Sequence, residues 1–120
     1  MKALVYMGPE VLSFQDMPDP QPERGEVLIK VAGVGICGSD MHAFVGHDER
    51  RPATLILGHE VAGTIAQGPE AGRRVTVNPL VSCGTCRACL EGRDNLCPDR
   101  QIISMPPRQG GFAEYISMPL

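Results

Sequence analysis

Four cysteines within one short stretch constrain this chain more than any other feature. Cys83, Cys86 and Cys89 recur every third residue, and Cys97 follows eight residues later in the run Cys83-Gly84-Thr85-Cys86-Arg87-Ala88-Cys89-Leu90-Glu91-Gly92-Arg93-Asp94-Asn95-Leu96-Cys97. A single loop with that spacing can bring four thiolates around one ion. Zinc held by four sulfurs has no position left for water or substrate, so the expected site, residues 83–97, is structural and performs no chemistry. Two rivals use similar residues. Ferredoxin-type iron–sulfur loops run C-x2-C-x2-C and end in Cys-Pro, as Cys97-Pro98 does, but they place three residues before the last cysteine where this chain has seven. A redox Cys-x-x-Cys pair expects a surrounding βαβ pattern and not three equally spaced cysteines.

The chain has five cysteines, an odd number that divides more naturally into four metal ligands plus Cys37 than into disulfide pairs. Its 120 residues suffice for one core but are few for an enzyme holding both a substrate and a large cofactor. Gly 14 and Pro 11 with 4% aromatic residues describe a turn-rich β domain better than a helical bundle. The net charge of -3 has no basic run behind it, which argues against a nucleic-acid partner. Apolar runs are too short to cross a bilayer, and Met1-Lys2-Ala3-Leu4-Val5-Tyr6 lacks the apolar stretch of a secretory signal. The expectation is a cytoplasmic protein, where reduced thiols and bound metal are the rule.

Read in order, residues 3–6 and 11–15 form a first hairpin, and Pro18, Pro20 and Pro22 force an extended segment. Val27 to Ile36 is β-branched and nearly all apolar, which predicts a central strand buried on both faces at its far end and delivering Cys37. Ser39 to Phe44 fits one or two helical turns, with Ser39 as an N-cap type residue. Residues 46–53 are charged and unpatterned and read as a surface loop, with His47 solvated. Strands are expected at 61–66 and 74–77, a helical turn at 86–91, and a closing strand at 110–117. Short strands separated by turns predict a mainly β fold, a barrel or sandwich.

Gly33-Val34-Gly35-Ile36-Cys37-Gly38 matches the dinucleotide fingerprint G-x-G-x-x-G, but Gly46 and a charged loop leave no room for its crossover helix. The glycines are better explained by close backbone packing beside Cys37. Alone, Cys37 reads as a buried small hydrophobe and His59 as a satisfied core histidine. Each lies at a glycine where a predicted strand ends or breaks, which would place both at one mouth of a barrel. There they are suitable zinc ligands, and Asp40 and Glu60 could orient them or share the metal. Ser39 and His42, three apart on a helical turn, suit a proton relay from a metal-bound oxygen through a hydroxyl to an imidazole. Spacing by itself leaves open both an open catalytic zinc and ordinary packing.

Val34-Gly35-Ile36-Cys37-Gly38-Ser39-Asp40-Met41-His42, Gly58-His59-Glu60-Val61-Ala62-Gly63, the four-cysteine loop and Gly111-Phe112-Ala113-Glu114-Tyr115 occur together and in order. In this the chain resembles the zinc-containing medium-chain alcohol and polyol dehydrogenases, over nearly its whole length. The resemblance implies a GroES-like, partly open β-barrel with short helical turns and a zinc-binding loop. Residues 1–120 would form the N-terminal catalytic domain, without the Rossmann domain that normally binds NAD or NADP.

The resemblance further implies Cys37 and His59 as catalytic zinc ligands, and Glu60 as the carboxylate that in the polyol branch ligates the metal or exchanges with water. Ser39 and His42 become the relay, and Asp40 the partner of the zinc-bound histidine. The implied reaction is oxidation of a secondary alcohol, a polyol or sugar acid, through a zinc alkoxide with hydride transfer to NAD or NADP. Threonine or simple alcohols are the alternative substrates within the family, and a non-enzymatic zinc-stabilised β module the alternative outside it. Full-length relatives are expected to be homo-oligomers. The chain departs from the family in three places: no second cysteine remains for the open site beside Cys37, Arg73 stands where an aspartate is usual, and the segment from His59 to Arg74 is short. A further glutamate ligand would lie beyond Leu120.

Overall fold

The computed structural model describes residues 1–120. In chain order it contains β1 (Lys2–Gly8), β2 (Val11–Asp16), β3 (Glu26–Gly35), α1 (Gly38–Phe44), β4 (Leu55–Ile56), β5 (Glu60–Gln67), β6 (Arg74–Thr76), β7 (Leu80–Val81), α2 (Arg87–Leu90), β8 (Gln101–Ile102) and β9 (Tyr115–Pro119). A 3-10 turn spans Asp94–Leu96. The strands pair as β2-β1-β4, β6-β5-β3-β9 and β7-β8. Every pairing is antiparallel, so no doubly wound parallel sheet is present.

The two larger sheets share one strap of chain. Leu4 N donates to Phe112 O at 2.8 Å and Glu114 N to Lys2 O at 3.1 Å, while Val31 N donates to Glu114 O at 2.8 Å. Residues 112–114 therefore leave the β1 sheet and lead straight into β9 of the other. The sheets wrap a common interior without closing a continuous hydrogen-bonded girdle, which is the partly open barrel expected. Val27, Ile29, Val61, Ile65, Ile103, Ile116 and Met118 form the larger core cluster. Tyr6, Ala43, Leu55 and Leu57, with Phe112 against them, form a second that seats α1 on the barrel. Burial of side chains this size contributes roughly 1.5–3 kcal/mol each, which makes these contacts the main support of the fold.

The structure corrects several local expectations. The central strand is buried at its near end, where Val27, Leu28 and Ile29 are 2–7% exposed, and not at its far end. β9 pairs with β3 only from Glu26 to Lys30, and after the Val31 bond to Glu114 β3 keeps a single neighbour, so Ala32 and Gly33 face solvent. The closing strand starts at Tyr115 and not Gly110. Residues 110–112 spend their amides on Ile56, Gly58 and Leu57 carbonyls, and that strap fixes the loop before β5. The cap of α1 is Cys37 and not Ser39. The loop 46–53 is not all surface: Arg51 is 4% exposed, although His47 is exposed as expected. Of the fingerprint glycines only Gly35 is closely packed, since a side chain at Gly33 or Gly38 would meet open space.

Candidate functional site

Strand register builds the first candidate site. β3 and β5 pair as Val34↔Val61 and Gly35↔Glu60, and there the ladder ends. Cys37 lies just past the end of one strand and His59 just before the start of the other. The ligand atoms of Cys37, His59 and Glu60 consequently fall within 4.8 Å of one another. Two glycines make this approach possible. A side chain at Gly35 would collide with the Glu60 carboxylate, and Gly58 holds φ +93 with the Phe112 ring packed against its Cα.

Asp40 ties the two halves together. It sits in the first turn of α1, is 3% exposed, and accepts from Cys37 N at 2.9 Å through one oxygen and from Gly58 N at 3.2 Å through the other. The second oxygen also lies 3.5 Å from His59 Nδ1. One buried carboxylate thus spans both ligand-bearing segments, and each of its charge-assisted bonds is stronger than a neutral one. His59 Nδ1 is also 3.5 Å from Ser104 Oγ. A proton on Nδ1 between those oxygens leaves the Nε2 lone pair available to a metal. Ser39 Oγ stands 3.3 Å from that Nε2. His42 is exposed at the outer end of α1, and its hydrogen bond is through its carbonyl, from His47 N at 2.9 Å. Ser39 is therefore gathered into the site, whereas no hydrogen bond joins it to His42.

The second candidate site is the cysteine loop. The sulfurs of Cys83, Cys86, Cys89 and Cys97 lie within 4.8 Å of one another, with Cys83 and Cys89 at 4.0 Å. Tetrahedral zinc with bonds near 2.3 Å would set its sulfurs about 3.8 Å apart, so the donor set fits that ion. Backbone amides already point at the sulfurs: Cys86 N to Cys83 Sγ at 3.3 Å, Cys89 N to Cys86 Sγ at 3.4 Å, and Cys83 N to Cys97 Sγ at 3.5 Å. The Thr85 backbone and hydroxyl, then the Cys86 amide, pull the Cys83 thiol down to about 6. At Cys86 the Cys89 amide favours the thiolate, but burial and the neighbouring sulfurs of Cys89, Cys83 and Cys97 outweigh it and push the thiol up to about 11. Four sulfurs this close cannot all ionise without a cation between them. Cys97 is fully buried and α2 is capped by Cys86, so the loop closes on itself.

Two residues at the first site escape sequence reasoning. Ser104 touches His59 across 45 positions, and Arg51 reaches Ser104 across 53. Ser104 follows an apolar pair in a loop, and Arg51 ends a run of charged residues, so neither carries a local signal.

Comparison with known proteins identifies the domain and its fold. Residues 23–120 match the alcohol dehydrogenase GroES-like domain. Sorbitol dehydrogenase of Bacillus subtilis (strain 168) is 44% identical over 129 residues, covering 98% of this chain and 36% of that protein. L-threonine 3-dehydrogenase of Streptomyces coelicolor is 40% identical over 130 residues, covering 99% of this chain and 37% of that protein. The cobalt- and zinc-bound thermostable alcohol dehydrogenase of Pyrobaculum aerophilum superposes with a TM-score of 0.87 at 33% identity, covering 99% of this chain and 39% of that one. The chain thus spans little more than a third of the length of the relatives it matches. On the matched domain, the shared fold and these identities, the chain belongs to the zinc-type medium-chain alcohol dehydrogenase family and carries its GroES-like domain.

Proposed function

We propose that the protein carrying this chain oxidises a secondary alcohol, a polyol or sugar acid, using NAD or NADP, and that residues 1–120 supply its alcohol- and metal-holding part. The observation that supports this most is the convergence of Cys37, His59 and Glu60 on one point, with Asp40 joining both segments that bear them. Three donors of sulfur, nitrogen and oxygen type suit zinc and leave room for a further ligand. Zinc there would act as a Lewis acid toward an alcohol oxygen and lower the pKa of its hydroxyl.

The chain's own residues then have distinct tasks. Cys37 and His59 hold, and Glu60, exposed at the start of β5, can bind or release. Asp40 holds the backbone of Cys37 and restrains the His59 ring through one shared oxygen. Ser39 Oγ, 3.3 Å from Nε2, is within reach of an oxygen placed at the same point and can take its proton while releasing the hydroxyl's own proton to a water on the way to solvent. His42, at the solvent end of α1, is the side chain of that helix best suited to pass the proton to water. The four-cysteine loop takes no part in this chemistry and holds its own segment rigid.

The test is turnover of a panel of polyols, sugar acids, threonine and simple alcohols by the full-length protein, followed as reduction of NAD and of NADP. Reduction with polyols or sugar acids is expected. Activity confined to threonine or ethanol would move the substrate class, and no reduction with any of them would overturn the proposal.

A further inference from the structure

Ser104 has a backbone conformation that serine adopts rarely and at a cost: φ is +62, and the residue is fully buried. Glycine would adopt that φ freely, so the reason for a serine must lie in its side chain. Its Oγ makes two contacts: His59 Nδ1 at 3.5 Å and Arg51 Nε at 3.4 Å. The same Nε donates to the Ser104 carbonyl at 3.1 Å, which grips both the backbone and the hydroxyl. Arg51 is itself 4% exposed and is anchored by Asp48, whose carboxylate also binds Arg50. A guanidinium this deep needs a partner in place, and the Arg50 and Arg51 contacts hold the Asp48 carboxyl well below the usual carboxylate range.

These contacts form a continuous path: Asp48 to Arg51, Arg51 to Ser104, Ser104 to the ring nitrogen of His59. We propose that Ser104, locked by Arg51, is a positioning residue for His59, a second oxygen beside Asp40 at Nδ1 that fixes the direction of Nε2. Asp40 Oδ1 and Ser104 Oγ are each 3.5 Å from Nδ1. Asp40 alone already serves two backbone amides, and one carboxylate oxygen shared between Gly58 N and Nδ1 leaves the ring free to pivot. A second oxygen on a rigid arm removes that freedom. Groups that orient a metal-bound histidine commonly matter tenfold or more for the metal. The consequence for metal rests on the zinc reading of Cys37, His59 and Glu60 given above, but the contact with the ring does not.

The experiment compares the parent chain with Ser104→Gly and Ser104→Ala. Glycine relaxes the backbone and alanine retains its conformation, so an effect common to both belongs to the hydroxyl. Nitrogen-detected NMR of the His59 ring, without metal at the open site, is expected to give a shifted Nδ1–H signal and faster exchange of that proton in both variants. Zinc affinity at the open site, by chelator competition, is expected to weaken about tenfold while the four-cysteine zinc stays bound. Arg51→Lys, which loses the Nε donor, should shift the ring signal in the same direction by less. Unchanged ring signals in both Ser104 variants would overturn the proposal. Ring signals that shift in both Ser104 variants while the parent binds no second zinc would support the positioning role and sink the zinc reading alone.

Discussion

The two thiol-bearing sites of this molecule are opposites in construction. The cysteine loop takes all four donors from one stretch of chain, aims its own amides at its own sulfurs, and is complete without help from the barrel. The Cys37 site takes three donors from the ends of two strands and depends on the register of β3 against β5. Asp40, Arg51 and Ser104 then hold it from three further places in the sequence. A saturated site needs only proximity. An open one, which must keep a position free and still bind, needs an outer scaffold to prevent its ligands from collapsing on one another.

Removing a ligand tests this contrast most severely at the closed site. Cys97→Ser, at a fully buried sulfur, should release that zinc and lower stability by upwards of about 4 kcal/mol, because metal binding there is coupled to folding of the loop. Thermal unfolding with metal content measures both; equal melting temperature and zinc in variant and parent would break the contrast. Next in size is Asp40→Ala, which strands the amides of Cys37 and Gly58 in a buried place. A cost of about 3 kcal/mol in urea unfolding is expected, with the cysteine-loop zinc retained. Loss of both zincs together would mean the sites are not independent.

Cys37→Ala sharpens the comparison from the other side. It should cost under about 1.5 kcal/mol and leave a folded chain, since Cys37 is only half-buried, yet abolish turnover in the full-length protein. The smallest expected effect concerns pH. The folded-state pKa of Asp48 is lowered by its arginine partners, so the stability it contributes is full above the unfolded carboxylate value of about 4 and is lost as pH falls below it. Asp48→Asn should therefore lower stability at neutral pH and leave it nearly unchanged at low pH, which flattens the acid limb of the stability curve by the same amount. An identical acid limb in the two proteins would mean that the Arg51 anchor carries no weight.

The same contrast explains what could be read from the residues alone. Cys83, Cys86, Cys89 and Cys97 announce themselves because their geometry is local, set by a capped turn and a short loop. Glycines at Gly35 and Gly58 mark the second site less directly, as places where two strand ends come close. The register that brings Cys37 to His59 is fixed by core packing of Ile29, Val61 and Ile65, and no short pattern encodes it. Burial along β3 was likewise invisible, because it depends on where β9 stops pairing. Arg51 looked like the end of a solvated run with Asp48, Glu49 and Arg50, yet a buried guanidinium differs from an exposed one only in what folds over it. No helix of the chain is long and apolar enough to cross a bilayer.

Zinc stoichiometry of the full-length protein, measured by elemental analysis alongside thermal unfolding for the parent, Cys37→Ala and Cys89→Ser, tests the central claim most directly. Two separable zinc sites predict that each variant loses one ion, and that Cys89→Ser loses far more stability with it than Cys37→Ala. A Cys37→Ala protein that keeps the parent's zinc, or a cysteine loop found to hold iron or disulfides, would contradict the account.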